Sequence, residues 1–524
     1  MTSEHGRLSR GHGPALAVAS LALLVLVPSA VLIGRYSFDG LYGQDSFSYT
    51  GYALGPLTEA LRHIQLPPPF FWPPGFPLLV AAAGALGLDS AGQVVSLLAG
   101  ALVPVFVALL ARQLLLPSVV PDIGERARHV LPLMAGAVAG VAGQLWQSSV
   151  VAMSDTTGLA AATMGAWSAC RYLSTRSRWS LVLGAAALAF AIEVRWLYAL
   201  VALPVSVAVL VSLARTVHTN SRAALGDLTI GVVVGLVVLV PTLVPIVGAL
   251  AAGGQVPFVG DFGAYEHWSP LGALSRTFET LDGRLEYTQP TGLFYLLQAF
   301  QSYWLYALAL LAVPGLAVVC RHPTVSAVAV LIGWPALVIG LLAGAGHQNT
   351  RFFLVALPPI AILVVIGAGE VWRIARGWAP PRLRPVATAA VAMVIVAGLA
   401  TNAVLANDFT AGFIEWQSAE RVAVRDLVAQ VPKTARLISL GATPAIRHDG
   451  RTDVVELYFL GEDAVLTLVS DGRPSYLLVD IASMRGQWAT REPGWAVEAL
   501  ESGPGLEPVA ASGEWTLYLV GPVK

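Results

Sequence analysis

Stretches of apolar residues recur through the first 406 positions, and short polar segments separate them. A helix that crosses a bilayer needs about 20 mainly apolar residues. Eleven stretches meet or approach that length: 14–34, 91–113, 130–150, 156–174, 180–194, 196–214, 227–252, 303–320, 324–345, 352–372 and 386–406. The stretch 75–88, GFPLLVAAAGALGL, is too short to cross comfortably. Prolines at 67–69, 73, 74 and 77 break helix around it. It is expected to be re-entrant or interfacial, covered by protein or by a watery cavity. Beyond residue 406 the pattern changes. ARLISLG, VVELYFL, PSYLLVDI and EWTLYLVG are short β-type runs, and they alternate with the helix-like ERVAVRDLVAQV and REPGWAVEALES. The expectation is a polytopic α-helical membrane protein of about eleven transmembrane helices (residues 1–406) with a small soluble α/β domain (407–524).

Charge sets the expected orientation, because arginines near helix ends mark the cytoplasmic side. Arg7 and Arg10 precede the first span, which lacks a clear small-residue cleavage site and reads as a retained helix. With that end inside, every even-numbered connection is arginine-rich: Arg112, Arg126 and Arg128; Arg171, Arg176 and Arg178; Arg215 and Arg222; Arg321; then Arg373, Arg376, Arg382 and Arg384. The odd connections fall outside. Two are large, 35–90 and 254–302, the second holding Asp261, Glu266, Glu279, Asp282 and Glu286 against Arg276 and Arg284. An odd number of spans puts residues 407–524 outside as well.

Composition agrees with a membrane protein. Of 524 residues, 56% are hydrophobic and only 12% charged, against about 25% charged in ordinary globular chains. A net charge of −1 leaves no electrostatic footprint for nucleic acid. The two cysteines, Cys170 and Cys320, lie in or at the end of apolar spans and read as small packing residues. Arginine far outnumbers lysine, and Ala, Val, Gly and Leu dominate, as in chains from GC-rich bacterial genomes.

The chemistry-bearing residues gather on the outer side of this topology. Asp39 and Asp45 lie in the first outer loop, and Asp155 opens the fourth span. Glu193 and Arg195 sit in the tight turn between spans five and six, where they could form a local ion pair. His347 and Arg351 open the tenth span. Charges at membrane depth are costly and usually face a protein interior or a wet cavity, so their gathering points to one aqueous pocket. Asp45 and Asp155 could also cap the helices that follow them. Asp45, Asp155 and His347 could share a divalent ion, though no spacing demands one. Nucleotide-binding glycine motifs and zinc spacings are absent from the sequence. An outer pocket has no access to cytosolic nucleotides, so an activated substrate would have to arrive on a lipid.

These features together resemble the GT-C fold glycosyltransferases. The resemblance is to the glycosyltransferase family 39 group, which includes protein O-mannosyltransferases and the aminoarabinose transferase of lipid A. GQDSFSYTGYA, WPPGFPLL, MSDTTGLAAA, EVRWLYALVALP and HQNTRFFLVALPPIAIL carry it in order across residues 14–406, and DVVELYFL and GRPSYLLVD extend it into the tail. It implies a polyprenyl-phosphate sugar donor and an acid of the first outer loop as catalytic base. By motif, Asp45 matches that acid and Asp155 the acid opening a later span. Arg195 and Arg351 correspond to donor-phosphate contacts. From its place on the same face His347 is a further candidate for the donor phosphate, and Tyr42, Tyr49 and Trp72 are aromatics suited to a membrane interface that could also stack on sugar. In the protein mannosyltransferases the loop acid belongs to an Asp-Glu pair; here Gln44 and Ser46 flank Asp45. Two other classes remain open at this level: a transporter or flippase of lipid-linked glycans, and a non-catalytic membrane scaffold.

Overall fold

The computed structural model describes residues 13–115, 125–260, 265 and 267–522. Arg7, Arg10, Asp261 and Glu266, and the side chain of Arg126, lie outside the described residues.

All eleven apolar stretches are helical over most of their length. Six of the described helices are long and apolar enough to cross a bilayer, and a bent pair makes a seventh. That pair, Arg128–Gly140 and Gly143–Val150, turns by 60°. At the start of the second helix Gly143 packs closely, and a Cβ there would meet the Tyr303 carbonyl at 3.0 Å. The sixth and seventh stretches form one run, Ala199–Val238, broken at Asn220 (φ −155°, ψ 82°). Helix resumes at Val240–Ala252.

The helices shuttle between two ends of the bundle. Asp155–Thr175 leaves the end that carries Asp155, and Arg178–Val194 returns to it. At the far end Arg178 and Tyr172 bind Asp227, at 2.9 and 2.8 Å, and Arg321 pairs with Glu370 at 3.7 Å. Between the ends lies one large apolar core containing Trp304, Trp334, Phe353 and Leu357, all almost fully buried.

Residues 75–85 form an 11-residue helix, Gly75–Ala85, about 16 Å long and too short to cross. Its buried side packs on the loop helix Gly43–Tyr52 through Tyr49, Phe76 and Val80. After Tyr52 the chain widens into a π-turn, Ala53–Leu57. Pro56 lies inside that turn and has no N–H to offer an α-helical ladder.

The last membrane-grade helix, Arg384–Ala429, is continuous over 46 residues. At 1.5 Å per residue it is about 69 Å long, more than twice the hydrocarbon thickness. The last apolar stretch therefore continues as an arm into the C-terminal sheet region. A small hairpin, β1 (Thr277–Thr280) and β2 (Gly283–Glu286), precedes it in sequence. The sheet comprises β3 (Arg436–Ser439), β4 (Val454–Glu456), β5 (Ser475–Val479), β6 (Leu506–Ser512) and β7 (Trp515–Val520), in the order β4-β3-β5-β7-β6. The first three are parallel, and β7 and β6 add antiparallel. Alternation along the strands divides two cores. Leu437, Leu478 and Leu517 face the arm residues Val424 and Leu427, whereas Ile438, Leu477 and Val479 face Val465, Val497 and Leu500.

The four β-type runs expected from sequence are β3, β4, β5 and β7. Strand β6 lies outside that expectation. It is an edge strand, LEPVAAS, with no fully buried position and with Pro508 at a bulge, and its apolar residues do not alternate.

Helix crossing depends on glycine in the pair Ala312–Arg321 and Leu357–Trp378. A Cβ on Gly315 would lie 2.0 Å from the Leu363 carbonyl oxygen, and one on Gly367 would lie 1.7 Å from that of Leu311. Small residues let membrane helices approach this closely. Gly367→Val is expected to lower stability by about 1–3 kcal/mol or more, read as a drop in thermal midpoint of detergent-solubilised protein. Gly377→Ala, on the same helix with open space around it, should show no drop.

Candidate active site

The helix Gly43–Tyr52 starts after Tyr42, whose extended backbone is tied by the Ser46 hydroxyl rather than by an acid. Asp45 therefore does not cap the helix. It stands in the first turn and points its carboxylate to Arg351, 3.0 Å from Nη2. The helix Asp155–Thr175 likewise takes Ser154 as its cap residue, and the Asp155 side chain turns inward. Its Oδ1 lies 2.5 Å from Arg195 Nη1, and its Oδ2 lies 3.4 Å from Arg351 Nε. Tyr198 donates its hydroxyl to the Asp155 carbonyl.

Two carboxylates and two guanidiniums thus form one chain, Asp45–Arg351–Asp155–Arg195, with formal charges that cancel. Burial increases from Asp45 to the Asp155–Arg195 pair. The Asp45 side chain is 33% exposed, that of Arg351 15%, and those of Asp155 and Arg195 only 5% and 8%. Phe352 lies beneath both guanidiniums, with its ring centroid 4.7 Å from that of Arg195 and 5.6 Å from that of Arg351. A planar cation over a ring gains cation–π attraction while its edge stays free for carboxylates.

Glu193 and Arg195 do not pair. Val194 ends a helix and Arg195 adopts an extended backbone (φ −164°), which turns the neighbouring side chains to different partners. Arg195 goes to Asp155. Glu193, 2% exposed, accepts from the Thr242 hydroxyl at 2.6 Å and the Thr242 amide at 3.2 Å. It thereby fastens the start of the helix Val240–Ala252.

The remaining sequence candidates distribute as follows. Tyr49 is 3% exposed and stacks on Trp72 at 4.6 Å, so both help bind the loop helix to the Gly75–Ala85 helix. Tyr42 is half-buried, packs edge-on against Phe413 at 5.0 Å, and borders a small cavity beside Arg351. His347 accepts from the Tyr295 hydroxyl through its carbonyl, at 2.7 Å. Burial pushes its imidazole below the ordinary histidine range, against an opposing pull from Asp282. Asp39 pairs with Arg421, which also holds Asp449 at 2.9 Å. Among the described residues no three His, Cys, Asp or Glu side chains gather as a metal site requires.

Sequence reasoning missed Phe352, Arg421 and Gln93. The Gln93 amide donates to the carbonyls of Phe38 (3.0 Å) and Val150 (2.9 Å), which locks the start of the segment 35–90 to the bent helix pair. A lone glutamine inside an apolar span is the signal that could have found it, since such a group must find partners at depth.

No protein-family model matches the sequence, and no characterised protein matches it by sequence. The solved structures do. ArnT from Cupriavidus metallidurans, bound to undecaprenyl phosphate, aligns over 96% of this chain and 97% of its own, at 14% identity and a TM-score of 0.55. The archaeal oligosaccharyltransferase AglB from Archaeoglobus fulgidus, in complex with an inhibitory peptide and a dolichol-phosphate, aligns over 96% and 74%, at 12% identity and a TM-score of 0.58. Both are GT-C proteins. This chain has the GT-C fold. It is an integral membrane protein of that architecture, with the sheet region at its C-terminal end.

The ion-pair chain makes a stability prediction. Removing one partner of a buried pair leaves an uncompensated charge, at a cost of about 3–5 kcal/mol. Asp155→Asn should lose about that much in equilibrium unfolding in detergent. Asp45→Asn, at the exposed end of the chain, should lose less than about 1 kcal/mol.

Proposed function

We propose that this protein is a membrane glycosyltransferase that moves a sugar from a polyprenyl-phosphate donor to an extracytoplasmic acceptor. The observation that carries this reading is the gradient along the four-residue ion-pair chain. A carboxylate with access to solvent sits at one end, and Arg351 and the buried Arg195, both held by the carboxylate of Asp155, sit behind it. The GT-C fold supports it, and so do the lipid phosphates bound by the two similar proteins.

In the proposed reaction Asp45 is the base and Asp155 positions the arginines. The donor phosphate competes with Asp45 for Arg351, whose guanidinium offers a bidentate fork to phosphate as readily as to carboxylate. Asp45 then takes the proton of the acceptor hydroxyl. The acceptor oxygen attacks the anomeric carbon, and the bond from that carbon to the phosphate oxygen breaks. The electron pair leaves with the polyprenyl phosphate, where Arg351 and Arg195 stabilise the added charge. One displacement inverts the anomeric configuration, and no second carboxylate is needed as a covalent nucleophile.

A transporter of a charged, lipid-linked glycan would need charged groups along a path between the two ends of the bundle. Among the described residues of the spans, the buried charges are Asp155, Glu193 and Arg195, all near one end. The large apolar core separates them from the Arg178–Asp227 and Arg321–Glu370 pairs.

The expected location is a bacterial cytoplasmic membrane. Eleven crossings with the first end inside would place the four-residue chain and residues 407–524 on the outer side. A phosphatase reporter fused after Lys524 should then be active, and a cytoplasm-only reporter at the same point silent. The reverse result would remove the common-face argument.

Transfer itself is tested with purified protein, a panel of labelled polyprenyl-phosphate sugars and a cell-envelope extract as acceptor. Wild type should transfer label, and Asp45→Asn should lose about 10²–10⁴-fold in rate with its thermal midpoint kept. Equal rates in both would remove Asp45 as base.

A further inference from the structure

At the end of the bundle away from Asp155, a groove of about 420 Å³ separates the long helix Arg384–Ala429 from the helices Arg128–Gly140, Ala312–Arg321 and Leu357–Trp378. The long helix stands off the bundle there, and only 11% of the residues in its most apolar stretch are buried. Leu131, Val318, Ile366, Val391, Ile395 and Leu399 form an apolar wall. From Thr388 at the mouth to Leu399 at depth the groove runs about 16 Å along the long helix, at 1.5 Å per residue. That is about half the hydrocarbon thickness of a bilayer. The groove therefore suits the chain of a lipid in one leaflet and is too short for the crossing helix of a partner protein.

The polar groups lie at the mouth. The Trp372 indole N–H donates to Thr388 Oγ1 at 3.2 Å, which ties the two longest walls together at that level. Arg373 donates through Nε and Nη2 to Glu370, at 2.7 Å each, and Arg321 pairs with the same carboxylate at 3.7 Å. Arg376 lies 5.3 Å from the centroid of the Trp372 ring, which leaves the edge of its guanidinium free for an anion. Arg382 and Arg384, in and after the turn that joins the two helices, are exposed, and their side chains have no partner among the described residues. On these segments five arginines stand against the single carboxylate of Glu370. Arginines at helix ends are ordinary at one membrane face; an apolar slot of one-leaflet depth directly beneath them is not.

We propose that this groove is a binding site for an anionic phospholipid, with an acyl chain in the slot and the phosphodiester among Arg376, Arg382 and Arg384. A phosphodiester offers a guanidinium two acceptor oxygens, and basic pockets between membrane helices suit anionic headgroups. A zwitterionic headgroup brings its own cation, which the arginine excess repels. The bound chain fills the space between the bundle and the helix that carries the C-terminal sheet, so the lipid braces that helix where the protein itself does not. The site lies at the opposite end of the bundle from Asp155, and the proposal is independent of the transferase reading.

The test titrates the full chain, in non-ionic detergent, with phosphatidylglycerol and phosphatidylcholine of identical acyl chains, and counts bound lipid by native mass spectrometry. With about fivefold per arginine near the headgroup, wild type should bind phosphatidylglycerol about a hundredfold more tightly than phosphatidylcholine. Its thermal midpoint should rise with phosphatidylglycerol alone, as for any ligand of the folded state. Arg382→Gln combined with Arg384→Gln should cut the preference about 25-fold and leave phosphatidylcholine binding unchanged. Ala392→Trp and Val396→Trp keep every arginine but put bulk into the groove from exposed positions on the long helix. Each should weaken phosphatidylglycerol at least tenfold while keeping its lipid-free thermal midpoint. Wild-type binding by both tryptophan variants would overturn the proposal, because the arginines would then hold the lipid without the groove. Equal affinity of wild type for the two phospholipids would overturn it as well. So would displacement of phosphatidylglycerol by farnesyl phosphate, which would assign the groove to a polyprenyl-phosphate lipid instead.

Discussion

The Asp155 carboxylate is the point on which its end of this bundle depends. Two guanidiniums cannot be buried among apolar helices without a countercharge, and Asp155 supplies it to both, through one oxygen each. The three residues come from three different helix ends: the start of Asp155–Thr175, the break after Val194, and the first turn of the helix Thr350–Phe353. Matching them fixes the relative height of those ends. The Tyr198 hydroxyl on the Asp155 carbonyl and Phe352 under both arginines reinforce the same junction. Asp45 hangs from the outermost nitrogen of this assembly, so its position is inherited from the buried pair.

The C-terminal sheet region acts on the same loop from the other side. In the helix Gly43–Tyr52, positions 45 and 49 face the bundle, whereas 43 and 47 lie on the opposite side. Phe47 meets His448 at 5.5 Å and lies 5.7 Å from the Arg421 guanidinium. Asp39, Arg421, Asp449 and Arg425 join the beginning of the loop to the arm and to the residues after β3. Burial acts against the charge on Asp449, but hydrogen bonds from Arg421 and Arg425 hold its carboxyl below the usual range. The β1–β2 hairpin is fastened as well, with the Arg284 amide donating to the Gln487 carbonyl at 2.7 Å. Both large loops are therefore clamped between the helices and the sheet, which gives a physical reason for a 46-residue helix to carry that sheet away from the bundle.

Much of this was legible in the sequence because it is local. Apolar length located the helical stretches, short runs of β-type residues located four of the five strands of the sheet, and the prolines around 67–77 marked the non-spanning element. The polar residues that meet beside Arg351 were also mostly visible, since charges in apolar sequence are conspicuous. Their partners were not. Nearness in sequence favoured Glu193 with Arg195, yet a single extended residue between two helical segments sends one to Thr242 and the other to Asp155, 40 positions away. Gln144, Gln147 and Ser148 lie at the end of the stretch 130–150, and only the bend at residues 141–143 brings them to the small cavity beside Arg351. Pairings of this kind depend on where helices end and turn, which periodicity locates only to within a few residues.

The neutrality of the four-residue chain has a consequence for the order of events in the proposed reaction. While Arg351 holds Asp45, the carboxylate oxygen that would receive a proton is already engaged with a guanidinium. A donor phosphate adds negative charge to an assembly whose charges cancel. It draws Arg351 toward itself, because the guanidinium fork suits phosphate as well as carboxylate, and the Asp45 oxygen is released only once the donor is in place. When the proton of the acceptor has moved to Asp45 and the leaving phosphate has gained a charge, both arginines face the phosphate and the carboxyl is neutral. In this proposal the net charge of the four side chains and the phosphate is thus the same before and after transfer. The base is released by the substrate whose bond is to be broken, so the freed carboxylate and the intact donor meet only with an acceptor able to enter between them.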